Sequence, residues 1–113
     1  MGMAYRARIN ERTLLNLPGF HGGAFVYVYV EDTSERELRD GWNFEARTVL
    51  EITDCSRLIR LEFDVDSDEG RVNSLHKLDT LTTALRVFRA ALVAEFEQYD
   101  RRERQLLEQL TRK

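Results

Sequence analysis

The chain predicts an α+β fold, an antiparallel β-meander of three to four strands packed on one long C-terminal helix. Three observations predict it. Residues 24–32 are dense in β-branched and aromatic side chains, and apolar side chains recur with a period of two through residues 42–53 and 57–65. From Ser74 to Thr111 there is no Gly or Pro, and apolar residues step by three and four. Turn-forming residues therefore punctuate the first part of the chain and are missing from the second. A length of 113 residues fits a single domain, with the meander at 1–72 and the helix at 73–113.

Residues 4–10, "AYRARIN", read as a short strand with Tyr5, Ala7 and Ile9 on one face and Arg6 and Arg8 on the other. Asn10 is then expected to cap a short helical turn carrying Leu14, Leu15 and Leu17, ended by Pro18-Gly19. "AFVYVYVED", residues 24–32, is the strongest strand. Ala24, Val26, Val28 and Val30 share one face, and Phe25, Tyr27 and Tyr29 the other. With both faces apolar or nearly so, it is expected at the centre of the sheet. Residues 33–41 are polar, and Ser34 with Glu37 fits a capping box closed by Gly41.

Residues 42–53 and 57–65 read as a long hairpin about a "DCS" turn. Its inner face takes Trp42, Phe44, Leu50 and Ile52 from one strand and Ile59, Leu61, Phe63 and Val65 from the other. Val49 breaks the first alternation. In the helix, Leu75, Leu78, Leu81, Leu85, Phe88, Leu92, Phe96 and Tyr99 form the apolar stripe. Leu78, Leu85, Leu92, Tyr99 and Leu106 are also spaced by seven, as in a coiled-coil seam. Asn73 or Ser74 is the expected cap, and Asp100 with Glu103 is a second candidate capping box that would break the helix near residue 100.

Charge is unevenly spread. The formal net charge is −3, yet residues 31–70 hold 13 acidic and 5 basic side chains, whereas residues 71–113 hold 9 basic and 6 acidic. An acidic middle is poor material for a general nucleic-acid binder, whose affinity comes from Lys and Arg at phosphates. No apolar run approaches the roughly 18 residues of a membrane span, and the N-terminal residues carry neither a signal core nor a myristoylation pattern. The single cysteine, Cys55, excludes an internal disulfide and fits a cytoplasmic location.

Candidate chemistry is sparse. "DVDSDEG", residues 64–70, places Asp64, Asp66 and Asp68 at positions 1, 3 and 5 of an EF-hand loop. Its sixth position is Glu69 where glycine is needed, and its twelfth is Leu75, which cannot ligate. His21, His76 and Cys55 lack metal-ligand spacing, and no base is placed beside Cys55. "GFHGG" has neither the spacing nor the lysine of a phosphate loop. No cofactor, metal or catalytic residue is expected, and the chain is not read as an enzyme.

Interaction is the function that these features favour. Tyr27, Tyr29, Val49 and Leu58 are expected on a semi-apolar sheet face, and Tyr99, Leu106, Leu107 and Leu110 along the distal helix, as partner or oligomer interface. Glu45, Glu51, Glu62 and Asp64 form an expected acidic patch for a basic partner. The sequence thus points to a non-enzymatic protein, a dimer or higher homo-oligomer, working through an unidentified protein partner. A regulator, inhibitor or adaptor fits, as does a bacterial or phage accessory protein, with no membrane association. The alternative is a single-stranded nucleic-acid-binding module in which Phe25, Tyr27 and Tyr29 are a stacking platform and Arg6, Arg8 and Arg47 meet phosphates.

Overall fold

The computed structural model describes residues 6–20, 22–35 and 46–112. Four strands precede one helix: β1 (Arg6–Leu14), β2 (Phe25–Asp32), β3 (Thr48–Asp54), β4 (Arg57–Leu61) and α1 (Asp68–Thr111). The strands form one antiparallel sheet in the order β1-β2-β3-β4, a meander, so the fold is α+β. The chain divides into two units, Met1–Ser74 and Leu75–Lys113, and each is described by itself.

The residues after Asn10 do not form the expected helical turn. β1 runs on to Leu14, because "NERTL" continues the period of two and pairs residue for residue with β2, up to Leu14 opposite Phe25. A second correction follows from the register. Ala7 pairs with Glu31, but Ile9 pairs with Val30, so Arg8 is an extra, bulged residue. Glu31 and Val30 lie on opposite faces of β2, so the bulge sends Ala7 and Ile9 to opposite faces too, not to one. The connection to β2 keeps a tight turn. Phe20 N–H donates to the Leu17 carbonyl at 3.1 Å, and Gly19 sits at φ 91° after Pro18, the arrangement a type II turn requires. The ladder then resumes where Leu15 N–H donates to the Ala24 carbonyl at 3.0 Å.

β2 is central, as its two-sided pattern predicts, and is partly covered along its whole length. β3 begins at Thr48; Trp42, Phe44 and Glu45 of the expected strand lie outside the described residues, as do Tyr5, His21, Glu37 and Gly41. Pairing nevertheless extends one step beyond β3. Glu31, 4% exposed, donates its N–H to the Arg47 carbonyl at 2.9 Å, and its carboxylate accepts the Arg47 N–H at 3.0 Å. β3 and β4 close a hairpin through Cys55 and Ser56. Cys55 takes φ 56°, the left-handed region that such a two-residue loop needs and that most side chains avoid. β4 ends at Leu61, so Phe63 and Val65, expected in the strand, lie past it.

Register sorts the side chains onto two faces. Val26, Val28 and Val30 of β2 lie opposite Ile52, Leu50 and Thr48 of β3, and Ile59 and Leu61 of β4 continue that aliphatic face. Ala24 is the buried apolar side chain among the described residues, at 4% exposure. The aliphatic face is half-covered at β2 and β3, while Ile9 and Ile59 at the sheet's margins are exposed.

The helix starts earlier than residue 73 and is capped by Ser67, not by Asn73 or Ser74. The Ser67 hydroxyl accepts the Gly70 N–H at 2.9 Å, satisfying one of the free donors of the first turn. Asp68 and Glu69 fill that turn, where negative charge meets the positive end of the helix dipole. Ser74 instead folds its hydroxyl back onto the Asp64 carbonyl at 2.9 Å, and Arg71 donates to the Val65 carbonyl at 2.8 Å and pairs with Asp68. Asp64 closes the turn by accepting the Asp66 N–H at 2.8 Å. A Cβ at Gly70 would press on the Asp64 carboxylate, so that side chain would have to shift to admit one. "DVDSDEG" is thus a helix-starting device. No group of three or more His, Cys, Asp or Glu gathers as a metal site among the described residues. The helix has 44 residues, about 66 Å, and passes through Asp100 without a break.

Candidate interaction surfaces

The first surface is the sheet face opposite the aliphatic one. The register brings together on it all four sheet residues singled out from sequence. Tyr29 lies opposite Val49, Tyr27 opposite Glu51, and Leu58 opposite Thr53, which in turn pairs with Phe25. Phe25, Tyr27 and Tyr29 form a row along β2, each half-buried, and Leu58 is exposed at the margin.

Polar groups hold this row in place. The Tyr27 hydroxyl donates to Asn10 Oδ1 at 2.8 Å. The Arg12 guanidinium sits 4.1 Å from the Phe25 ring centroid, and that of Arg47 sits 5.8 Å from Tyr29. Each contact of this kind contributes about 0.5–1 kcal/mol at a partly exposed site. Arg60 pairs with Glu51 across β3 and β4, its Nε donating at 2.9 Å.

Arg12 was missed by sequence reasoning because it was placed in a helical turn. The alternation Glu11 and Thr13 against Arg12 and Leu14 was the signal that it belongs to a strand. Arg6 and Arg8, expected to meet phosphates, are engaged with Glu35 at 2.8 Å and Asp32 at 3.3 Å respectively. Those contacts bear on Asp32, whose carboxyl is held below its ordinary pKa. The backbone N–H of Ser34 is the main cause, followed by its hydroxyl, with Arg8 and Arg6 adding smaller effects.

The expected acidic patch is distributed over different local settings. Glu51 is neutralised by Arg60 on the aromatic face. Asp64 is turned into the helix start, Glu62 is exposed beyond β4, and Glu45 lies outside the described residues.

The second surface is the helix. Its apolar stripe is largely exposed, from Leu75 through Leu92 at 37% to Leu110 at 71%, with Leu81 half-buried. Tyr99, Leu106, Leu107 and Leu110 are all exposed along the distal helix, and the Arg102 guanidinium lies 5.6 Å from the Tyr99 ring. Tyr99, Leu106 and Leu110 follow one line, whereas Leu107 widens it by a residue. His76 lies near Thr80 one turn on, at 3.4 Å, and Cys55 is exposed in its hairpin. No helix among the described residues is long and apolar enough to cross a membrane.

Comparison with known proteins finds no matching family model, no matching curated protein and no matching solved structure.

Proposed function

We propose that this chain is a non-enzymatic interaction protein that self-associates through α1 and presents its sheet to a further partner. The observation that carries this reading is the stripe of Leu78, Leu85, Leu92, Tyr99 and Leu106, seven residues apart and exposed throughout. A helix of this length with a bare apolar stripe is unfavourable in water, at roughly 25 cal/mol per Å² of apolar surface left wet. Pairing with a second copy removes that cost without requiring any other molecule. A reducing compartment such as the cytoplasm, in a bacterium or a phage-infected cell, suits the exposed Cys55 thiol. The test is sedimentation of the full chain at micromolar concentration, beside a version truncated after Asp100. A dimer or larger species that loses assembly on truncation supports the reading, and a full-length monomer overturns it.

A second reading, single-stranded nucleic-acid binding, is favoured by the aromatic row of β2 with Arg12 and Arg47 over its ends. Against it, Arg12 already covers the Phe25 ring, and Glu51 stands beside Tyr27. A salt titration of oligonucleotide binding separates the two readings. Absence of binding at low salt sinks the nucleic-acid reading, since any phosphate-driven contact is strongest there.

A further inference from the structure

We infer that the partner of α1 is a second copy of this helix running antiparallel, with the two helices crossing between residues 97 and 98. The inference rests on the self-association reading above and adds orientation and register to it.

The charges that interrupt the stripe carry the argument. With Leu78, Leu85, Leu92, Tyr99 and Leu106 as one line of a heptad seam, the companion line four residues on begins Thr82, Arg89, Phe96, Glu103 and Leu110. Glu95 and Arg102 sit directly beside that line. A parallel, in-register pair would stack Arg89 on the partner's Arg89 and Glu103 on the partner's Glu103. It would also set Glu95 facing the partner's Asp100, twice over by symmetry. Every charged interruption would then meet its own sign.

Reversing one helix changes each of these encounters. In an antiparallel pair with Phe96 against the partner's Tyr99, Leu85 falls against the partner's Leu110. Glu95 comes beside the partner's Arg102, again twice by symmetry. Arg89 and the partner's Glu103 lie within one turn of each other, inside the reach of an arginine side chain. Arg89 and Glu103, which break the apolar line, are then level with the partner's Leu106 and Leu92 rather than with their own kind, each with an opposite charge one turn away, and Phe96 and Tyr99 occupy the crossing. The overlap runs from about residue 84 to Thr111, the helix end, which is about four heptads and long enough for a stable coiled coil. The continuity of α1 through Asp100 is a requirement of this geometry and is present.

The test uses the full chain with Cys55→Ser, which removes the single native thiol. Leu85→Cys and Leu110→Cys are each made in that background and oxidised alone and as a mixture, with sedimentation run in parallel. The mixture should give a disulfide joining one chain of each kind, while neither variant links to itself. Self-linking of either variant alone means parallel helices and overturns the inference, as does a dimer that links in no combination. A monomer by sedimentation overturns the self-association reading instead. Charge reversal is the independent arm. Glu95→Arg should raise the dimer dissociation constant by about tenfold, and Arg102→Glu added to it should restore it. Tighter assembly of Glu95→Arg also overturns the inference, because only a parallel pair sets that residue against Asp100.

Discussion

The sheet unit and the helix unit dispose of their apolar side chains in different ways. In the sheet, each strand is held by its neighbour through a backbone ladder, and the side chains of β2 and β3 shelter one another across the register. In the helix, every backbone bond is satisfied within about four residues, and the apolar stripe gains nothing from the helix itself. Leucine and valine therefore mean different things in the two places. In the sheet they build a shared face. On the helix they are a stripe left exposed to water.

The largest expected effect breaks this comparison at the helix. Leu92→Asp places an unpaired carboxylate in the middle of the stripe. It should cost several kcal/mol of assembly while leaving the sheet's circular dichroism in place, because Leu92 is half in water within one chain. Loss of the folded sheet in that variant, read by urea titration, would show that the stripe contributes to the sheet unit's own stability.

Ser67→Ala acts where the two regions join. It removes the side-chain acceptor of the Gly70 N–H and should lower the thermal stability of the first helical turns by about 1 kcal/mol. An unchanged melting curve would transfer the cap to another group. Within the sheet, Cys55→Gly should stabilise by about 0.5 kcal/mol, since glycine takes the left-handed φ of the hairpin without strain. A loss of stability in denaturant titration would mean that the Cys55 side chain makes contacts that outweigh the strain.

The smallest effect is a pH dependence confined to the sheet. The Asp32 carboxyl is held below its ordinary value, so its contribution to stability is complete above the usual carboxylate range and is lost as pH falls through the depressed value. Asp32→Asn lacks that contribution at every pH. The stability gap between the two proteins should therefore be widest near neutrality and should narrow below about pH 4. A gap that stays constant into acid would remove Asp32 from the account.

Sequence by itself determined the elements and their faces wherever the physics is local. The alternation from Phe25 to Asp32 predicted both the central strand and the split between its valine and aromatic faces. The absence of Gly and Pro after residue 73 predicted one long helix, and the break that Asp100 with Glu103 offered near residue 100 does not form. The seven-residue spacing predicted the stripe. Tyr27, Tyr29, Val49 and Leu58 were gathered in advance because period two is a property of the strand alone.

Three features were settled only by the tertiary structure. β1 continues through Arg12 because β2 offers it a ladder, and a local helical preference loses to paired backbone hydrogen bonds. The bulge at Arg8 reverses the facing of Ala7, which no alternation within one strand can reveal, because facing is defined by the neighbour's register. The helix begins at Asp68 because Ser67, Asp64 and Arg71 meet in space around Gly70, a closure that depends on where the chain leaves β4. Period belongs to the single element, whereas register and termini belong to the contacts between elements.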